Sequence, residues 1–363
     1  MSEVTAAAPT VATPPVRVTR ARRSTLWVAI GAVVVIAVLA YLPYEVYSGT
    51  TTLLVSFFIL LIMASMWNLL AGYAGLVSVG QQAFIGLGSY FVLIGGLNKI
   101  DPFLGLPVAA LASGVVGLIV WWLLSRLRTG YFAIATWVIA SICYLVVIRF
   151  AALGGGTGEG LSGLPDVSAT LLDAYVYWVA LGVTVIMLIT VYALLRGRLG
   201  LVLTALRDDE TGARSVGVKV ARAQLLVFVI AAIGCGAAGG LEIISQPFVQ
   251  PNAAFSVQWT AEMIFACLIG GIGTIEGPIV GTIVFFALQQ WLSSYGTWYF
   301  IVLGAVAITV AIWAPRGLWG LFSERFNIRL FPVGYWLWPA GQQTRPGLAR
   351  LPFGRRPEGG EPG

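Results

Sequence analysis

Histidine is absent from this chain of 363 residues, and charged residues make up only 10% of it. Without an imidazole, Ser-His-Asp hydrolysis, His-ligated haem and most zinc sites are excluded. Cysteine is nearly absent too. Cys143, Cys235 and Cys267 lie inside apolar runs at no metal-ligating or redox spacing, and so read as small core residues. No clustered Asp, Glu and Cys constellation falls within an apolar run, so a membrane enzyme is poorly supported. No G-x-x-x-x-G-K-[ST] stretch occurs, so any dependence on ATP has to come from another chain. Of 21 basic residues, only Lys99 and Lys219 are lysines, and the rest sit in short flanks between apolar runs. That pattern reads as membrane topology and not as a nucleic-acid footprint, despite the formal charge of +6.

What is present is apolar. Hydrophobic residues reach 58% and the mean hydropathy is +0.90, whereas soluble domains carry about 25% charged residues. The fold class is therefore an all-α polytopic membrane protein. At about 20 apolar residues per crossing, ten full or partial spans are expected, at 26–44, 51–70, 83–98, 104–124, 131–150, 175–195, 223–243, 262–272, 278–294 and 298–314. The third and eighth are short, and the eighth and ninth together resemble one broken helix. With ten spans and both termini in the cytoplasm, every basic residue except Lys99 and Arg149 faces inward. Nine spans would leave the C-terminal arginines outside, against the positive-inside rule. Trp27, Trp121, Trp122, Trp178, Trp291, Trp298 and Trp313 fall near span ends, where amphipathic rings suit the membrane interface.

Residues 1–24 read as a disordered cytoplasmic arm and 25–318 as the transmembrane domain. Residues 319–363 read as a cytoplasmic segment ending in a disordered Gly/Pro/Arg-rich tail. The run after the arm is too long for a signal-peptide core of about 7–15 residues and lacks a clean cleavage site, so it reads as a retained first helix.

Two stretches break the apolar pattern. "NLLAGYAGLVSVGQQAFIGLGSY", 68–90, holds five glycines and a Gln pair. Each glycine costs about 1 kcal/mol against alanine inside a helix, so the stretch has another use. One reading is an unwound segment lining a polar route, tolerated at membrane depth only when buried in protein or facing water. The other is a packed elbow at the membrane surface with the glutamines solvated. The second stretch, "CLIGGIGTIEGPIVGTIVFF", interrupts the late apolar block, and in the ten-span topology both breaks face the cytoplasm. Such interruptions in transporters point to the translocation route. The candidate path residues are Ser78, Gly80, Gln81, Gln82, Gly271 and Gly273. The small-residue series Gly236/Gly240 and Gly273/Gly277/Gly281 fits close helix packing within the chain.

Two loops carry most of the remaining chemistry. Residues 196–222 form the longest charged stretch between spans, with Leu203, Leu206, Ala213 and Val216 spaced for short helical turns. An amphipathic segment of this kind rests on lipid or docks in a partner's groove. The outer loop, 151–174, is rich in glycine and has Glu159, Asp166 and Asp173 with no basic residue. It suits a flexible or tightly turned lid.

Four stretches carry a family resemblance: Asn68–Gly75 running into Ser78–Gln81 and Ala83-Phe84; "GGTGEGLSGLP", 154–164; "GLVLTALRDDETGARSVGV", 200–218; and "IGGIGTIEGPIVG", 269–281. Together they resemble the permease subunits of branched-chain amino-acid ABC importers of the LivM type, whose relatives also import urea or short amides. The chain departs from that pattern at Gln82, where a small residue is more usual, and at Glu159, where relatives tend to carry Asp. The resemblance implies a second similar permease, two ATPase subunits that bind ATP and Mg, and an extracytoplasmic solute-binding protein. It implies no cofactor in this chain itself and no enzymatic step there. Leu203, Leu206, Arg207, Asp208, Glu210, Ala213 and Gly217 would couple to the ATPase, and Glu159 and Asp166 would face the binding protein. An ion-coupled secondary transporter of a small polar solute stays open beside this reading. Its proton-driven form is weakened because Glu242, Glu262 and Glu276 all sit at expected span ends or in the second break.

Overall fold

The computed structural model describes residues 16–19, 23–46, 48–127, 129–208, 210–215, 217, 219–292, 298–314, 316–326 and 336–339. Most of the expected arm at 1–24 and the whole tail from residue 341 lie outside the described residues. Within the two terminal segments, β1 (Val16–Thr19) pairs antiparallel with β4 (Trp336–Pro339) as a small unit of its own.

The second unit runs from Ser24 to Val333 and is helical. Each of the ten expected apolar segments is met by a helix: α1 (Arg23–Tyr41), α2 (Ser48–Asn68), α3 (Gln82–Leu97), α4 (Pro102–Leu124), α5 (Thr129–Val147), α6 (Ala169–Arg196), α9 (Val220–Ser245), α11 (Val257–Gly270), α12 (Glu276–Leu292) and α13 (Trp298–Trp313). The short helices α7 (Arg198–Asp208) and α8 (Glu210–Ser215) fill the loop before α9. Helix α10 (Pro251–Ala254) precedes α11, and α14 (Gly317–Phe326) follows α13. Six helical stretches among the described residues are long and apolar enough to cross a membrane, and three more are apolar but shorter.

The eighth segment is longer than its apolar core at 262–272 implied. Ser256 caps α11 by accepting from Gln258 N (3.2 Å), and Thr260 is drawn into the helix although the expected segment begins only at Glu262. Leu318 and Trp319 on α14 are at least half-buried against the bundle.

Helix α9 sits at the centre, packed against α2, α3 and α4. Its glycines make that possible. A Cβ at Gly239 would overlap the carbonyl of Ile85, and one at Gly88 would overlap that of Gly236, so α3 and α9 touch backbone to backbone. The contacts of Gly236, Gly240, Gly277 and Gly281 are all internal to the chain, as expected. Cys235 and Cys267 are core residues, and the Cys267 thiol donates to Ala64 O (3.1 Å). Trp121 corrects one expectation: it is buried against Phe132 and Phe228 and is no interfacial ring. Trp122, Trp291 and Trp313 are exposed near helix ends, as an interfacial residue should be.

At one end of the bundle the outer loop is tied down. Strand β2 (Glu159–Gly160) pairs with β3 (Phe248–Val249), and Leu161 N donates to Pro247 O (3.0 Å). Gly158 (φ +94°) packs on Val249 O, so this loop is tightly turned rather than free.

Candidate functional site

The last turn of α2 widens into a π-turn, Leu69–Tyr73, and the chain then runs without helix until α3. Ala74 N and Leu76 N donate to Leu69 O and Leu70 O at the start of the turn. Neighbours grip the unwound stretch from both sides. Trp67 Nε1 donates to Ser78 O (2.9 Å), and Val79 N donates to Thr136 Oγ1 on α5 (3.2 Å). A Cβ at Gly80 would overlap the backbone of Thr136.

Ser78, Gln81 and Gln82 are 0, 0 and 1% exposed, which overturns the elbow with solvated glutamines. Gln81 Nε2 donates to Ser78 Oγ (3.2 Å), and Gln81 Oε1 has no partner. Gln82 Oε1 accepts from Thr260 Oγ1 on α11. Helix α3 rises only about 24 Å at 1.5 Å per residue, short of a hydrocarbon core of about 30 Å. The unwound stretch before it is enclosed by protein, with Ser78, Gly80, Gln81 and Gln82 all buried.

The second break meets the first. Gly271 and Gly273 adopt φ +124° and +80° between α11 and α12. The Asn68 side chain spans the gap: Oδ1 accepts from Gly273 N (2.8 Å) and Nδ2 donates to Thr274 O (2.8 Å). The amide thus pairs with the peptide as a neighbouring strand would. The approach needs glycine on both sides, since a Cβ at Gly72 would lie 2.6 Å from Gly273 N. Arg207 at the end of α7 donates from Nη1 to Gly273 O (3.2 Å), and Gln224 Nε2 at the start of α9 reaches Ala74 O (3.3 Å). Four segments distant in sequence therefore close into one clasp at one end of the bundle.

The residues expected to line a path do not form one group. Ser78, Gly80, Gln81 and Gln82 lie together along the first break, whereas Gly271 and Gly273 belong to the clasp. Of the residues expected to couple to an ATPase, Leu203, Leu206 and Ala213 are buried within this chain, so their apolar faces hold α7 and α8 against the bundle. Arg207 and Gly217 are exposed. Asp208 ends α7 and Glu210 begins α8, but their side chains lie outside the described residues. At the opposite end Glu159 is half-buried in β2 and Asp166 is exposed. Asn68, Thr136 and Thr260 were not singled out as site residues. The available signal was a lone amide closing a long apolar run and a threonine just ahead of another.

Comparison with known proteins decides the family. Residues 49–311, well over half of the chain, match the family described as branched-chain amino acid transport system / permease component. The chain belongs to that permease family. It is 26% identical over 315 residues to the high-affinity branched-chain amino acid transport system permease protein LivM of Escherichia coli, covering 79% of this chain and 74% of the relative. The LivM of Salmonella typhimurium is 27% identical with the same coverage. The galactose/methyl galactoside import permease protein MglC of Haemophilus influenzae is 24% identical over 58% of this chain and 68% of its own. No solved structure matches. The permease is thus a LivM-type transport component and not an enzyme, and a multi-pass protein of the plasma membrane. The matched region begins in α2 and ends in α13, so both breaks and the whole clasp fall inside it.

Proposed function

We propose that this permease carries branched-chain or related amino acids inward, driven by ATP hydrolysed on two partner ATPase subunits. A second permease completes the pathway, and an extracytoplasmic binding protein delivers the solute; urea and short amides are the alternative cargo. Both termini and the clasp lie on the cytoplasmic side, and Glu159 and Asp166 lie on the outer side. ATP and Mg belong to the partner subunits, and this chain contributes no catalytic group.

The observation that supports this reading is the Arg207–Gly273–Asn68 chain of hydrogen bonds. Helix α7 is held by its buried leucines and presents Arg207 at its exposed end. A push on α7 by a closing ATPase reaches Gly273 through the guanidinium, and Asn68 passes it to the foot of α2 and the unwound stretch beyond. The test is Arg207→Ala in liposomes holding this chain, its partner permease, the ATPases and the binding protein. A hydrogen bond to a charged group contributes about 1.5–3 kcal/mol, so ATP-driven leucine uptake should fall about tenfold or more while ATP hydrolysis continues. Uptake at the wild-type rate refutes the coupling route.

A further inference from the structure

A half-open pocket of about 160 Å³ lies beside the first break, between α3, α5 and the α10 segment. That volume is below the range for drug-sized ligands, about 300–1,000 Å³, and suits only a small solute. Trp137, Tyr144 and Phe255 supply aromatic walls, and Gln82, Ser141 and Asn252 supply polar groups. No Asp, Glu, Lys or Arg lines it among the described residues.

The walls are fixed. Phe255 stacks on Tyr90 (6.0 Å, 17°), meets Tyr144 edge-on (6.4 Å, 67°), and presses so closely on Gly86 that a Cβ there would overlap its ring. Gln82 is fixed too. Thr260 holds its Oε1, and Nε2 makes no hydrogen bond among the described residues while the side chain lines the pocket. An amide donor left open at a pocket wall favours a ligand that can accept from it. Of the lining residues, Trp137, Ser141 and Asn252 are exposed.

We propose that this pocket is the transported solute's site and takes amino acids with uncharged side chains; this rests on the transport reading above. The carboxylate accepts from Gln82 Nε2 and the Asn252 amide. The ammonium lies against the aromatic faces, which attract cations, and the side chain packs on the remaining apolar wall. Lysine or glutamate brings a second charge that nothing in the pocket pairs, so both are rejected.

The experiment compares Ser141→Trp and Asn252→Ala in the complete reconstituted importer, using radiolabelled leucine. Neither residue makes a hydrogen bond beyond its own element in the structure, and both are exposed, so both variants should assemble. Ile142→Trp adds the same bulk one residue along and serves as the control. The KM for leucine should rise about tenfold in the first two, as expected for one lost polar contact or a filled pocket. The control should be unchanged in both KM and basal ATP hydrolysis. Unchanged KM in both variants under ATP drive overturns the site and leaves the importer reading standing. Lysine or glutamate uptake as fast as leucine overturns the solute class. Uptake driven by an ion gradient instead of ATP, lost in the same two variants, keeps the site and overturns the ATP-driven reading.

Discussion

Asn68→Ala removes the side chain that joins the two breaks, and its cost can be worked from the structure. Two hydrogen bonds of 2.8 Å are lost. Each is worth about 0.5–1.5 kcal/mol net, and a buried donor left unmet costs about 1–3 kcal/mol. Gly273 is only half-buried, so water restores part of the loss. The net weakening of the 271–275 segment is then about 2 kcal/mol, toward the lower end of that range. In amide hydrogen exchange this appears as local opening, and about 2 kcal/mol corresponds to roughly thirtyfold faster exchange there. Asn68→Asp keeps the acceptor for Gly273 N but cannot donate to Thr274 O, and should fall between. Asn98→Ala is the control, since that amide serves only its own helix end at Ile94 O. Exchange of 271–275 in Asn68→Ala indistinguishable from wild type would show that the clasp does not hold the break, and the route from Arg207 to α2 would fail with it.

Gly88→Leu should prevent folding of the chain, because its Cβ would already overlap the carbonyl of Gly236 at the α3–α9 contact; size-exclusion in detergent would show aggregate. Gly182→Ala on α6 meets nothing within 4 Å, so it should instead raise stability by about 1 kcal/mol through helix propensity, seen as a higher thermal midpoint. Asp166→Arg reverses an exposed charge on the outer loop. It should raise severalfold the binding-protein concentration that half-stimulates ATP hydrolysis, with the difference shrinking at high salt; equal stimulation would remove Asp166 from the docking surface.

The helices were legible because each long apolar run had to cover its own backbone, and only a helix does so in lipid. The eighth segment was misjudged because Thr260 looks like an ending by hydropathy, yet it lies inside α11 as a buried partner of Gln82. Trp121 was misread for a related reason. Nearness to a helix end says nothing about which face a ring occupies, and this one faces Phe228. That the glycine-rich breaks mattered was visible in the sequence. That they meet was not, because Asn68 and Thr274 are 206 residues apart and no local pattern encodes their pairing. Leu203 and Leu206 show the same limit: an amphipathic spacing announces a face to be buried but does not say whether the cover is a partner or the chain itself. Here it is the chain.

The two breaks solve opposite problems with the same residue. At the clasp, glycine at 72 and 273 lets backbones meet, and both amide atoms of Asn68 are paired. A linkage with its polar groups satisfied is stiff, and stiffness is what a part that transmits displacement needs. Along Ser78–Gln82 the accounting is left incomplete: Gln81 Oε1 is buried without a partner, and Gln82 Nε2, at the pocket wall, makes no hydrogen bond among the described residues. An unmet polar group in a buried site weakens the resting state and favours whatever can bond to it. The saturated junction and the unsaturated stretch adjoin at the foot of α2, where Trp67 holds Ser78 and the next residue, Asn68, holds Gly273. A displacement arriving through Arg207 therefore reaches, within two consecutive residues, the backbone that carries the open amides.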